Sequence, residues 1–174
     1  MVIIINGRPR VGKDTICDLT KEILGKDYCE SISSVDGIKE IAKQIGWNGE
    51  KDLRSRKFLS DLKDLFTNFN DYPFISTTRR IQNLIDMYEN YGISENQYVI
   101  FVHIREPKEI QKIQQKFNAL TVIVERPLID TKVSNHADEE VYNYDYNYII
   151  YNDGNKEDLK KTIIGFLTKI KIKF

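Results

Sequence analysis

Gly7-Arg8-Pro9-Arg10-Val11-Gly12-Lys13-Asp14-Thr15 sets two glycines five positions apart and puts a lysine directly after the second. Glycine lets a backbone bend so that successive N–H groups point at one anion. Upstream, Val2 to Ile5 is wholly apolar and β-branched, the pattern of a parallel strand buried on both faces. Downstream, Ile16, Leu19 and Ile23 recur at helical spacing, and Gly25 stands where a helix would be capped. The positive end of that helix aims at the loop, and Lys13 can neutralise outer phosphates. Strand, glycine loop and helix in this order predict a phosphate-binding loop made by Gly7, Arg8, Arg10, Val11, Gly12, Lys13, Asp14 and Thr15. Asp14 occupies the position where serine or threonine usually helps to hold magnesium, and the hydroxyl follows one residue later at Thr15. Asp14 and Thr15 are therefore the candidate metal residues.

The pattern continues in both chemistry and period. Tyr28 to Ser33 is a second candidate strand, and Ile38, Ile41, Ala42 and Ile45 make a helical stripe stopped by Gly46. From Asp52, a strongly amphipathic helix carries Phe58, Leu59, Leu62, Leu65 and Phe66, and Asn70-Asp71-Tyr72-Pro73 breaks it. Another helix carries Ile81, Leu84, Ile85 and Tyr88 and ends at Gly92. Tyr98 to Ile104, Leu120 to Val124 and Tyr148 to Tyr151 are further strands. Pro107 opens one helix, and Asn155, with Asp158 three residues on, caps the last. Strands alternating with helices imply an α/β fold: a parallel five-stranded sheet between two helical layers. The helical stretch over 36–92 is too long for a simple crossover and is expected to bind the acceptor, and a short lid is expected over 126–145. The whole reads as a single domain over 1–174.

Composition narrows the partners. The 26 basic side chains equal the 26 acidic ones, so no net field draws in a nucleic-acid backbone. The two cysteines, Cys17 and Cys29, have neither a pairing motif nor histidines at metal spacing, which suggests reduced thiols and a cytoplasmic setting. No apolar run approaches the roughly 18–20 residues of a membrane span. Small molecules are the expected partners, with neither a nucleic-acid polymer nor a membrane among them; periodicity leaves a homodimer open.

Glycine-lysine-aspartate-threonine, in its setting, resembles the phage-type deoxynucleoside monophosphate kinases, P-loop relatives of adenylate kinase. Val35 to Glu40 looks like that family's segment after strand two, and His103 to Glu109 its strand-three motif of aspartate, valine, arginine, proline and glutamate. Ser134 to Glu139 resembles its lid, and Asn147 to Gly154 the strand and loop before its last helix. The resemblance spans nearly the whole chain and implies a three-layer P-loop fold, with ATP and Mg2+ as cofactors and nucleotides as substrates. Two positions depart from the family pattern. His103 replaces an aspartate that organises magnesium, and an imidazole is a poor ligand for an oxygen-seeking ion. Asn147 replaces a second aspartate.

Transfer of a phosphoryl group to a phosphate needs positive charge and exclusion of water more than acid–base help. Arg105, after a buried strand, and Arg126, where a lid would start, join Lys13 as catalytic candidates. Lys51, Arg54, Arg56 and Lys57 cluster at a helix start, and Arg56, Ser60 and Lys63 share one flank, a cradle for a monophosphate. Arg79 and Arg80 are expected to open the next helix, a poor position for cations beside a helix dipole. The resemblance adds Lys39 and His136 on the acceptor side, and Asn152 and Gly154 against adenine. The tyrosines between Tyr142 and Tyr148 are expected to serve mainly packing. The same features also suit a kinase of another small phosphorylated metabolite, such as phosphomevalonate, or a non-catalytic nucleotide-binding protein.

Overall fold

The computed structural model describes residues 1–50, 52–127 and 140–174, with the backbone alone at 140. Its elements run β1 (Val2–Asn6), α1 (Lys13–Leu24), β2 (Cys29–Ser33), α2 (Asp36–Gln44), α3 (Leu53–Asn70), α4 (Tyr72–Asn90), β3 (Val99–His103), α5 (Pro107–Phe117), β4 (Leu120–Glu125), β5 (Tyr148–Tyr151) and α6 (Lys156–Lys169). The strands form one sheet in the order β2-β3-β1-β4-β5, and every pairing is parallel.

Alternation along the strands divides the interior into two cores. On one face Ile3, Ile5, Val99, Phe101 and Val122 meet Ile16 and Leu19 of α1 and Ile163 and Leu167 of α6. On the other, Ile4, Ile100 and Val102 meet Ile81 and Tyr88 of α4 and Ile110 and Ile113 of α5. The wholly apolar reading of β1 follows from this arrangement, since helices cover the sheet on both sides.

Helices α2, α3 and α4 pack on one another between β2 and β3, and α4 also reaches the sheet. Gly37 of α2 is buried where a Cβ would lie 2.3 Å from the Ser76 hydroxyl of α4, so a side chain there would part the two helices.

The expected chain break after α3 takes a single residue. Asp71 adopts φ 56°, its N–H closes the end of α3, and Pro73 sits in the first turn of α4, where no intrahelical donor is needed. Helix α4 therefore begins well before its apolar stripe, because a proline that breaks one helix is also a good start for the next. Arg79 and Arg80 consequently lie inside α4, and the dipole argument for them does not apply. Smaller shifts occur at strand ends: Lys26–Tyr28 forms a 3₁₀ turn ahead of β2, and β3 excludes Tyr98 and Ile104, although both are buried. Among the described residues no helix is long and apolar enough to cross a membrane.

Candidate active site

The strand order reverses around β1: the chain moves out to β2 and β3 on one side, then crosses to β4 and β5 on the other. Ligands of open α/β sheets bind outside the carboxyl ends of the strands at such a switch point. The loop 7–12 hangs there, between β1 and α1.

Its shape is held from three sides. The Asn6 side chain is fully buried; its Oδ1 accepts from the Gly7 N–H at 2.8 Å, and its Nδ2 donates to the Arg105 carbonyl at 3.2 Å and to the Tyr146 Oη at 2.6 Å. Gly7 has φ 142°, and a Cβ there would lie 2.6 Å from the Val124 carbonyl oxygen. Gly12 has φ 100°, and a Cβ there would lie 2.4 Å from Asn152 Nδ2. Both glycines thus serve conformation and close approach. Asn152 Nδ2 donates to the Val11 carbonyl at 2.8 Å, while its own N–H donates to Glu125 at 2.8 Å. The sequence offered Asn152 as an adenine contact; in the structure its side chain ties the loop 7–12 to the end of β5.

Lys13 is folded across the loop, its Nζ donating to the Gly7 carbonyl at 2.6 Å and to the Arg8 carbonyl at 2.9 Å. The ammonium therefore lies against the loop's own carbonyls, and the loop leads into the N-terminus of α1, an end that favours an anion. Arg8 stacks its guanidinium 5.1 Å above the Tyr142 ring, and its buried Nε has no hydrogen-bond partner among the described residues. Arg10 takes φ 66° and is exposed. Asp14 and Thr15 are exposed in the first turn of α1, offering a carboxylate and a hydroxyl beside the loop. This set fits a polyphosphate accompanied by a hard, oxygen-seeking cation.

His103 does not join that donor set. It ends β3, paired across the strands with Ile5 and Ser33, and its Nε2 lies 3.0 Å from Ser31 Oγ and 3.6 Å from Cys17 Sγ. Burial holds its pKa below the ordinary 6.5, against the opposing pull of Asp14, so the ring is neutral near pH 7. Cys17 and Cys29 are free and buried, and loss of hydration pushes both thiols up to about 12, which makes them packing groups rather than nucleophiles.

Asn147 lies at the other end of the sheet. It precedes β5, and its Oδ1 accepts from Thr121 N and Oγ1 at 2.9 and 3.0 Å, bracketing the starts of β4 and β5. The strands are parallel, so this end is remote from the phosphate loop, and Asn147 is not the counterpart of a magnesium-organising aspartate. The tyrosines around it pack as expected: Tyr144 bonds Gln114, Tyr146 donates to the Val141 carbonyl at 2.8 Å, and Tyr148 meets Phe166 edge-on.

The basic candidates divide by setting. Arg105 is half-buried just after β3, and Arg126 is exposed just after β4. Arg54, Arg56 and Lys57 are exposed at the start of α3, where Lys57 pairs with Asp61 at 2.8 Å. Lys39 pairs with Asp36 at 3.0 Å, and Asp36 also accepts from the Ser33 N–H. Arg79 is exposed; Arg80 pairs with Glu40 of α2. Gly154 forms the exposed turn before α6. His136 and Lys51 lie outside the described residues. Lys63, expected in a cradle for a monophosphate, is instead buried, with Glu106 and Glu109 each at 2.8 Å from its ammonium. The carboxyl ends of β1, β3, β4 and β5 thus bring Lys13, Arg105, Arg126 and Asn152 to one edge.

Sequence reasoning missed Asn6 and the clamp at Asn152. One signal was present for Asn6, a polar residue closing a fully apolar strand directly before the glycine loop.

No protein-family model matches the chain, and no curated protein matches it in sequence. Solved structures do. A shikimate kinase from Aquifex aeolicus superposes with TM-score 0.52 over 98% of both chains at 14% identity. A gluconokinase from Sinorhizobium meliloti superposes with TM-score 0.53 over 98% of this chain and 93% of its own at 9% identity. The chain therefore has the three-layer α/β fold of P-loop kinases.

Proposed function

We propose that the protein is a phosphotransferase that moves the terminal phosphoryl group of ATP to a small phosphorylated acceptor, a nucleoside monophosphate and in particular a deoxynucleotide. The observation that carries this reading is the loop 7–12 between β1 and α1, with Gly7 and Gly12 at positive φ in close quarters and Lys13 folded onto it. The likeness to the shikimate kinase and gluconokinase structures supports phosphotransfer to a small molecule. The choice of a nucleotide rests on the residue-level resemblance of the loop and of the segment His103 to Glu109.

In this reading the loop amides and Lys13 hold the β and γ phosphates, with Arg8 and Arg10 at the rim. Asp14 and Thr15 would hold Mg2+, which would supply positive charge to the nucleotide phosphates. Arg105, Arg126 and the basic start of α3 hold the acceptor phosphate and neutralise charge during transfer. A phosphate nucleophile is already ionised, so the neutral ring of His103 is not needed as a base, and the carboxylate that His103 lacks for magnesium would come from Asp14. Residues 36–92 supply the acceptor side and 126–145 the cover that excludes water.

The test is ADP release with ATP and magnesium across the ribo- and deoxynucleoside monophosphates, alongside other small phosphorylated metabolites. Release that depends on one or a few deoxynucleotides supports the reading in full. Release with a different phosphorylated acceptor keeps the phosphotransferase and discards the nucleotide. ATP binding without turnover on any acceptor discards the enzyme.

A further inference from the structure

Helix α3 is 18 residues long, and its one fully buried side chain is a lysine. Lys63 is 7% exposed and donates to Glu106 Oε1 and to Glu109 Oε2, both at 2.8 Å. Neither carboxylate belongs to the helical insertion. Glu106 caps the N-terminus of α5, its carbonyl accepting from the N–H groups of Glu109 and Ile110 at 3.0 Å each. It also directly follows Arg105. The Arg105 carbonyl is bound in turn by Asn6 Nδ2 at 3.2 Å, and the Asn6 Oδ1 takes the Gly7 N–H at 2.8 Å.

A continuous polar path therefore runs from α3 through Lys63 and Glu106 to the Arg105 backbone, and on through Asn6 to the first glycine of the phosphate loop. A buried lysine between carboxylates is expensive to desolvate, and apolar residues would hold a helix at least as firmly. What the ionic arrangement adds is direction: the donor geometry fixes α3 at one place on the Arg105 turn. Glu109 is nine-tenths buried; loss of hydration pushes its carboxyl above the ordinary 4.5, and the Lys63 ammonium opposes that shift.

We infer that Lys63 is a positioning residue, which acts through Glu106 to hold Arg105 in register with the phosphate loop and so couples the helical insertion to the site of transfer. The inference deepens the functional reading above and rests on it for the role of Arg105. Its structural half, mechanical coupling of α3 to Gly7, stands without that reading.

Two measurements test it. The first is amide hydrogen exchange on the wild type and on the variant Lys63→Met, Glu106→Gln, Glu109→Gln. That variant leaves no unpaired buried charge, so it is expected to fold. Coupling predicts that the Gly7 amide exchanges about tenfold faster in the variant, as a local opening. Change confined to α3 and α5 overturns it.

The second is a kinetic cycle in which Lys63→Met is made in the wild type and in Arg105→Ala, with Lys63→Arg as the conservative control. Positioning predicts that Lys63→Met lowers kcat by about 10- to 100-fold, the scale of a small misplacement, with the KM for ATP nearly unchanged. It further predicts that Lys63→Arg restores most of kcat, and that Lys63→Met costs nothing more once Arg105 is gone. An equal loss in both backgrounds overturns the inference. A wild type that turns over no acceptor while the Gly7 amide still responds removes the functional reading and leaves the coupling in place.

Discussion

Helices α1 and α3 flank the same site and are held by opposite means. Helix α1 buries Ile16, Cys17, Leu19 and Thr20 against the sheet and α6, so an apolar core fixes the lysine that begins it. Helix α3 buries only Lys63, and Leu53, Leu65 and Phe69 stand 83%, 63% and 80% exposed on it. Apolar burial supplies stabilisation in proportion to area and makes a stiff frame. An ionic anchor supplies less net stabilisation but specifies one arrangement. In the proposed reading the phosphate side is thus built as frame and the acceptor side as a seated part, the division expected where one substrate is gripped by a fixed loop and the other by helices that move on closure.

The sharpest way to break this comparison is at the lysine itself. Lys13→Ala should lower kcat by about 100- to 1000-fold, the scale of losing a group that stabilises developing charge, while the melting temperature stays near that of the wild type. Steady-state kinetics and a thermal scan on the same sample check both halves.

Stability should divide the two helices next. Ile16→Ala, in the core under α1, should cost about 2–5 kcal/mol in chemical denaturation. Leu65→Ala, on the open face of α3, should stay within about 0.5 kcal/mol of the wild type. Similar costs at the two positions would mean that α3 is covered in solution and that the contrast is false.

Gly7→Ala probes the frame at its tightest point, since the new Cβ meets the Val124 carbonyl in a backbone conformation that side chains avoid. A loss of about 1–3 kcal/mol, read from the denaturation midpoint, is expected.

The smallest effect concerns pH. Burial keeps the folded pKa of His103 below 6.5, so the unfolded chain binds a proton that the fold refuses. Stability from this residue is therefore complete above pH 6.5 and declines as pH falls from 6.5 toward the lowered folded value. Melting temperatures between pH 7.5 and 5.5 should fall more steeply in the wild type than in His103→Asn. Parallel curves would show that the ring titrates freely.

Much of the frame was legible because its signals are local. A β-branched run, two glycines and an apolar helical stripe define β1, the loop and α1 without reference to anything distant, and the parallel sheet follows from the alternation. What was not legible depends on pairing across the fold. The burial of Lys63 needs Glu106 and Glu109, more than forty positions away in sequence, so its place beside Arg56 on one helical flank read as part of a cradle for a monophosphate. The start of α4 was hidden because Pro73 signals both a break and a beginning. Asn147 was read only as the replacement of a second aspartate, because a short motif carries no information about its bonds to Thr121 at the start of β4. The bond from Asn152 to the Val11 carbonyl was hidden for the same reason as the Lys63 pairs: the two residues are 141 positions apart.

The most direct test of the account follows the phosphoryl group itself. ATP labelled in its γ phosphate is incubated with the protein, magnesium and a deoxynucleoside monophosphate, and the products are separated after a single turnover. The account predicts that the label appears in the deoxynucleoside diphosphate. Label released as inorganic phosphate, or retained in ATP under conditions where ATP is bound, would contradict it.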